Sequence, residues 1–389
     1  MNKKYLAAIV VVIVIVVGVA AFYLMTQGPK RAGELKLWTW AGYDLQTMGE
    51  YGIWDDFIAA HPGLKVSVTN FPDEESALAR VAVGDRFDVS NYGGYRTHLI
   101  RYLELGALEP LDLNLIPNYK DVHPFFKQLT ETVGRKDGNL YVVITDMGMT
   151  SILYRRDLIQ SAGLPEPDSW SVLWDPRYAE VGIAMYDAPS EIGGPIFDAL
   201  FSVEDFKNPS DAQLAAWKDA VTKAFRQAKI IYDDQYELYE SLKSGEVAIA
   251  TMWTEVYAMG LEDGLDVVYL GLTPGHDYRQ GEALFIWPYC MNVGQGAKER
   301  GTYELAHDYI NAFLDPRLGQ FLTNVYYYAS TNTKAWEIAD PEIVHLLGLD
   351  NPDALLSKGI FYNWEHPDPE IWDKYFEAWT EAKTAAGVG

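Results

Sequence analysis

With 389 residues, 49% of them hydrophobic and 22% charged, the chain has the composition of a globular protein large enough for two domains, and it lacks the profile of a disordered one. Its 31 Lys and Arg against 55 Asp and Glu give a formal charge of −24, which opposes binding to nucleic-acid phosphates and draws cations, although an acidic surplus also serves solubility. A single cysteine, Cys290, excludes an intrachain disulfide and a thiolate metal cluster.

Lys3 and Lys4 precede an uncharged apolar run from Tyr5 to Met25, about 21 residues and long enough to cross ~30 Å of hydrocarbon as a helix. The run exceeds the ~7–15 apolar residues of a cleaved signal peptide, so residues 1–28 are expected to form a membrane anchor or uncleaved signal. The lysines place its amino terminus inside and the rest of the chain outside the membrane.

After a short basic linker, Leu35, Leu37 and Thr39 alternate with Lys36, Trp38 and Trp40 as a strand that Ala41-Gly42 ends. Tyr51–Ala60 has helical spacing, stopped by His61-Pro62-Gly63, and Leu64–Thr69 alternates again, giving a β-α-β unit with parallel pairing. A helix over Glu74–Gly84, a strand at Phe87–Ser90 and a helix over Thr97–Leu105 follow. Tyr141–Ile144 and Ser151–Tyr154 read as two strands separated by Thr145–Gly148, a crossing between lobes. Trp170–Tyr178 opens a second α/β unit, with a strand at Gly182–Tyr186 ending in Asp187-Ala188-Pro189-Ser190-Glu191. Helices over Asp211–Gln227 and Tyr236–Ser244 precede strands at Val247–Trp253 and Asp266–Leu270. Leu284–Val293 is the return crossing, and helices over Thr302–Phe313, Pro316–Tyr326 and Pro369–Ala386 complete the chain.

Aromatics recur where these strands end: Trp40 and Tyr43, Tyr95, Trp253, Trp287 and Tyr289, and Tyr328. The carboxyl ends of strands in an open α/β sheet are where ligands sit. Asp187, Glu191 and Glu255 stand among them. An ammonium over a Trp or Tyr face gains ~0.5–2 kcal/mol, and carboxylates accept charge-assisted bonds from its N–H groups, so together these residues suit an amine. Ordinary packing is the competing explanation for each aromatic taken alone. No phosphate loop, dinucleotide fingerprint, nucleophile elbow or zinc-protease motif occurs, and the 7 histidines are scattered, so neither a metal nor a cofactor is implied. Asp187 and Glu191 would be the acid pair of a glycoside hydrolase, if their separation suited one.

Trp40-x-x-Tyr43, the Phe87-Asp88-Val89 strand before a Tyr-bearing loop, Ser169 to Tyr178 (Ser-Trp-x-x-Leu-Trp-Asp-Pro-Arg-Tyr), Asp187-Ala-x-x-Glu191, and Gly245 to Trp253 resemble the spermidine/putrescine-binding proteins, the solute-binding components of ABC importers. The resemblance runs from about residue 34 onward and implies an α/β, two-lobed periplasmic-binding-protein-like (type II) fold that closes on a polyamine and delivers it to a permease. Residues 29–147 and 283–335 would form one lobe, and residues 148–282 and 336–389 the other. Carried over by position, Trp40, Tyr43, Tyr95, Asp187, Glu191, Trp253, Trp287, Tyr328 and Glu365 would contact the ligand. The family's acid two residues after the last tryptophan is replaced here by Tyr289, leaving Glu255 or Asp146 to substitute, and Gly93 stands where the family has serine. A quaternary amine or an amino acid derivative is the alternative ligand.

Overall fold

The computed structural model describes residues 33–92, 96–232, 235–272, 281, 284–360 and 368–388. The proposed 1–28 anchor, Tyr95 and Glu365 lie outside the described residues. Among the described residues no helix is long and apolar enough to cross a membrane.

The alternation at Leu35–Trp40 becomes β1 (Glu34–Trp38), with Leu35 and Leu37 fully buried. Trp38, on the other face, is also covered, its ring packed 4.8 Å from Phe71 and 4.9 Å from Phe87. β1 pairs in parallel with β2 (Lys65–Thr69) on one side and β3 (Val89–Ser90) on the other, as the β-α-β pattern requires. β4 (Leu108–Glu109), a hairpin of β5 (Arg135–Lys136) and β6 (Asn139–Leu140), and β7 (Val143–Arg155) follow. A second parallel group comprises β8 (Ile183–Tyr186), β9 (Ile230–Tyr232) and β10 (Ile249–Trp253), with β8 between the other two. β11 (Val267–Tyr269), β12 (Leu284–Gly294), β13 (Ala329–Ser330) and β14 (Gly359–Ile360) complete the strands.

The main sheet runs β2-β1-β3-β12-β7-β10-β8-β9, so the two parallel groups are joined through the antiparallel pair β7/β12. That pair is registered from Phe285 opposite Thr150 to Met291 opposite Val143, with a shift between Tyr289 and Cys290. Cys290 is buried and free, the small-hydrophobe role its neighbours imply.

Two sequence expectations are corrected. The stretch from Thr145 to Gly148 does not separate two strands: β7 is continuous over 13 residues, all buried. Its glycine serves a close approach rather than a turn, because a Cβ on Gly148 would lie 2.0 Å from the Trp287 ring. Beyond β8, only Asp187 and Ala188 lie outside regular structure; Pro189–Asp198 is a helix that places Glu191 in its first turn. Gly193, Gly194 and Pro195 disfavour helix locally, but tertiary packing overrides them. Ile192, Ile196 and Phe197 are buried, and the Trp217 indole donates to the Gly193 carbonyl at 2.9 Å.

Helix Asp211–Gln227 begins with a Ser210/Gln213 capping box and carries Trp217 and Phe225 to the C-terminal helix Pro369–Ala386. Trp379 lies 5.9 Å from Trp217 and 5.1 Å from Phe225, which fixes the rotation of that last helix. Near β3 the fully buried Asp88 accepts from the Lys36 amide at 2.6 Å, Arg300 Nη2 at 2.7 Å and Thr302 Oγ1 at 2.9 Å. A buried carboxylate is tolerated there because it is paired and bonded throughout.

Candidate functional site

The sheet's two parallel groups bring their carboxyl ends to a common cavity of about 500 Å³. One wall is Trp40, beyond β1, with Pro72–Glu75 at the start of helix Glu74–Ala82; the other is Tyr186–Glu191, beyond β8. The C-terminal helix closes one side with Trp379 and Lys383. Asp73, Glu74, Glu75, Asp187 and Glu191 line this space, and among its described lining residues Lys383 is the only cation.

Glu191 Oε2 accepts from Thr150 Oγ1 at 3.0 Å and Trp253 Nε1 at 3.3 Å. Burial pushes its pKa up to about 7, and these two bonds oppose the shift without cancelling it. Thr150 also accepts from Trp287 Nε1 at 3.0 Å, so both tryptophans are oriented through the same small polar cluster. Trp253 meets Tyr186 edge-on at 5.3 Å, and Trp287 meets Tyr328 edge-on at 5.0 Å.

From Tyr328 the layer continues to Tyr43, at 6.5 Å, and from Tyr43 to Tyr289, at 4.3 Å. The Tyr43 hydroxyl donates to Asp146 Oδ2, and Thr145 Oγ1 donates to Oδ1 at 2.8 Å. Burial raises the Asp146 carboxyl to about 7 as well. Tyr289 OH lies 3.5 Å from Thr39 Oγ1, and the half-buried Trp40 ring packs 4.8 Å from Tyr92. A chain of rings and carboxyls thus leads from Glu191, on one wall, round to the residue preceding Trp40 on the other.

Of the described residues expected to bind ligand, Trp40, Asp187 and Glu191 line the cavity directly. Tyr43, Trp253, Trp287, Tyr289 and Tyr328 belong to the connected aromatic layer, with Tyr43, Trp287, Tyr289 and Tyr328 buried. Glu255, in the first turn of helix Thr254–Glu262, is raised to about 7 by burial and bonded by Gln235. Asp187 differs from Glu191: its Oδ1 accepts from Trp379 Nε1 at 2.9 Å and its Oδ2 is ion-paired with Lys383. The sequence reading missed Lys383, Trp379 and the Asp73–Glu75 wall. The signal for the first two was their i, i+4 spacing on one face of an aromatic-rich helix.

Residues 52–343 match the model of a family described as bacterial extracellular solute-binding protein. The chain belongs to that family. It is 23% identical over 406 residues to the putrescine-binding periplasmic protein PotF of Escherichia coli (strain K12), covering 99% of each chain. Among solved structures, a putative spermidine/putrescine ABC transporter protein from Listeria monocytogenes superposes with a TM-score of 0.70 at 22% identity, over 90% of this chain and 99% of that one. The binding protein MotA from A. tumefaciens B6, in complex with glucopine, gives 0.65 at 17% identity over 90% and 99%. The fold is therefore that of the periplasmic binding proteins, as the resemblance implied.

Proposed function

We propose that this protein is the extracytoplasmic substrate-binding component of an ABC importer, which captures a polyamine of the putrescine or spermidine type and delivers it to its permease. In this reading residues 1–28 tether it to the membrane and the two lobes named above close about the β7/β12 crossing. Glu191 carries the reading. It is a cleft carboxyl bonded by Trp253 and, through Thr150, linked to Trp287, and among the described residues it makes no ion pair, so an incoming ammonium would supply its counter-charge. The acid-rich lining and the full-length similarity to a putrescine-binding protein support the same ligand class. Methylene segments of a polyamine would lie against Trp40 and Tyr186, rings that line the cavity, while its ammonium groups meet carboxylates.

Tyr289, ringed against Tyr43 where the resembling family has an acid, supports a quaternary amine or amino acid derivative as the second reading. The structure that binds glucopine belongs to the same fold. A thermal-shift panel separates the two. Stabilisation by putrescine or spermidine and not by choline or betaine fits the first reading, and the reverse pattern overturns it. A hydrolase using Asp187 and Glu191 is disfavoured because Lys383 and Trp379 already engage Asp187.

A further inference from the structure

Lys383 brings into the cleft the same chemical group that an alkyl polyamine would bring: four methylenes ending in an ammonium. It stands in the last turn of the C-terminal helix, and its partner is Asp187, the carboxylate that follows β8 on the cleft wall. The position is built. Trp379, one turn earlier, donates to the other oxygen of Asp187 at 2.9 Å, and Trp379 is itself wedged against Trp217 and Phe225. Both members of the ion pair keep solvent contact, the Lys383 side chain being 27% exposed and that of Asp187 28%, so the pair is able to open without unfolding the helix.

We propose that Lys383 is an internal counter-ion that competes with the ligand: it holds the ammonium position at Asp187, and an amine gains Asp187 only by displacing it. Lys383 then sets specificity, because a ligand that reaches both Glu191 and Asp187 must bring a second ammonium able to replace the lysine. The inference rests on the amine reading of the cleft.

The test is titration calorimetry of the full chain with putrescine and spermidine, on wild type, Lys383→Met, Lys383→Arg and Lys383→Met with Asp187→Asn. Lys383→Met is expected to bind the amine about fivefold tighter, the size of a partly exposed ion pair no longer to be broken. Lys383→Arg is expected to stay within about twofold of wild type, and the gain is expected to vanish when Asp187 is also removed. An unchanged or weaker affinity in Lys383→Met, or a gain that survives Asp187→Asn, overturns the proposal while leaving the amine reading intact. Failure of every amine to bind any of the proteins overturns both. Labelling of the wild type with an amine-reactive reagent provides a readout independent of folding of the variants. Scored as the ratio of Lys383 to the surface lysines of the same sample, because spermidine itself consumes reagent, modification of Lys383 is expected to rise several-fold at saturating spermidine, and an unchanged or reduced ratio contradicts displacement.

Discussion

Binding of an amine to this cleft should depend on pH through Glu191. The group's ordinary value is 4.5 and burial raises it to about 7, whereas an alkylammonium ligand, like a lysine, stays charged to about pH 10. Around pH 6 roughly nine-tenths of Glu191 is protonated and unable to act as counter-ion. The affinity should therefore weaken about tenfold for each pH unit below 7 and level off above 8. Lacking ligand, the protein shows the opposite trend. The folded state holds a proton that the unfolded chain releases near 4.5, so stability falls as pH rises from about 4.5 to 7, by at most ~3 kcal/mol for this group. Calorimetry at pH 5.5 to 8.5, in two buffers of different ionisation enthalpy, measures both the affinity and the protons released on binding. Close to one proton released per ligand at pH 6 is expected, and Glu191→Gln should remove that release. A dissociation constant unchanged from pH 6 to 8, with no buffer dependence of the heat, would mean that Glu191 is not the counter-ion of the bound amine.

Gly148→Ala places a methyl group 2.0 Å from the Trp287 ring, so the indole must leave its bond to Thr150. Overpacking and the lost bond together should lower unfolding free energy by about 2–4 kcal/mol in urea titrations, with altered tryptophan fluorescence. A change under about 0.5 kcal/mol would mean that the close approach is not structural. Asp88→Ala, remote from the cleft, leaves the Arg300 guanidinium without its buried partner and should cost ~3–5 kcal/mol, with amine affinity unchanged in whatever fraction stays folded. Loss of affinity in that folded fraction would place Asp88 in the binding machinery instead.

How much of this was legible beforehand follows from the range of the interactions. Alternation from Leu35 to Trp40 marked β1, and the apolar spacing of residues 211–227 marked helix Asp211–Gln227, because strand and helix periods are local properties. β7 was misread as broken over Thr145–Gly148, a stretch whose glycine is there for an indole on another strand. Glu191 was legible as a cleft acid from its place after a strand, yet its rise to about 7 comes from surroundings assembled by β7 and β10. Asp187 was expected to be equivalent to it. The lysine that neutralises Asp187 lies 196 residues further along, and no local pattern links the two.

Trp40 offers the most direct test of the cleft as an amine site, because it lines the cavity while only half-buried, its ring resting on Tyr92. Titration calorimetry with putrescine and spermidine should give saturable binding to the wild type. With Trp40→Ala the affinity should fall about tenfold or more, with the urea midpoint shifting far less. Absence of heat with putrescine, spermidine and spermine alike would mean that the cleft is not a polyamine site, and a loss of stability in Trp40→Ala as large as its loss of binding would return Trp40 to the core.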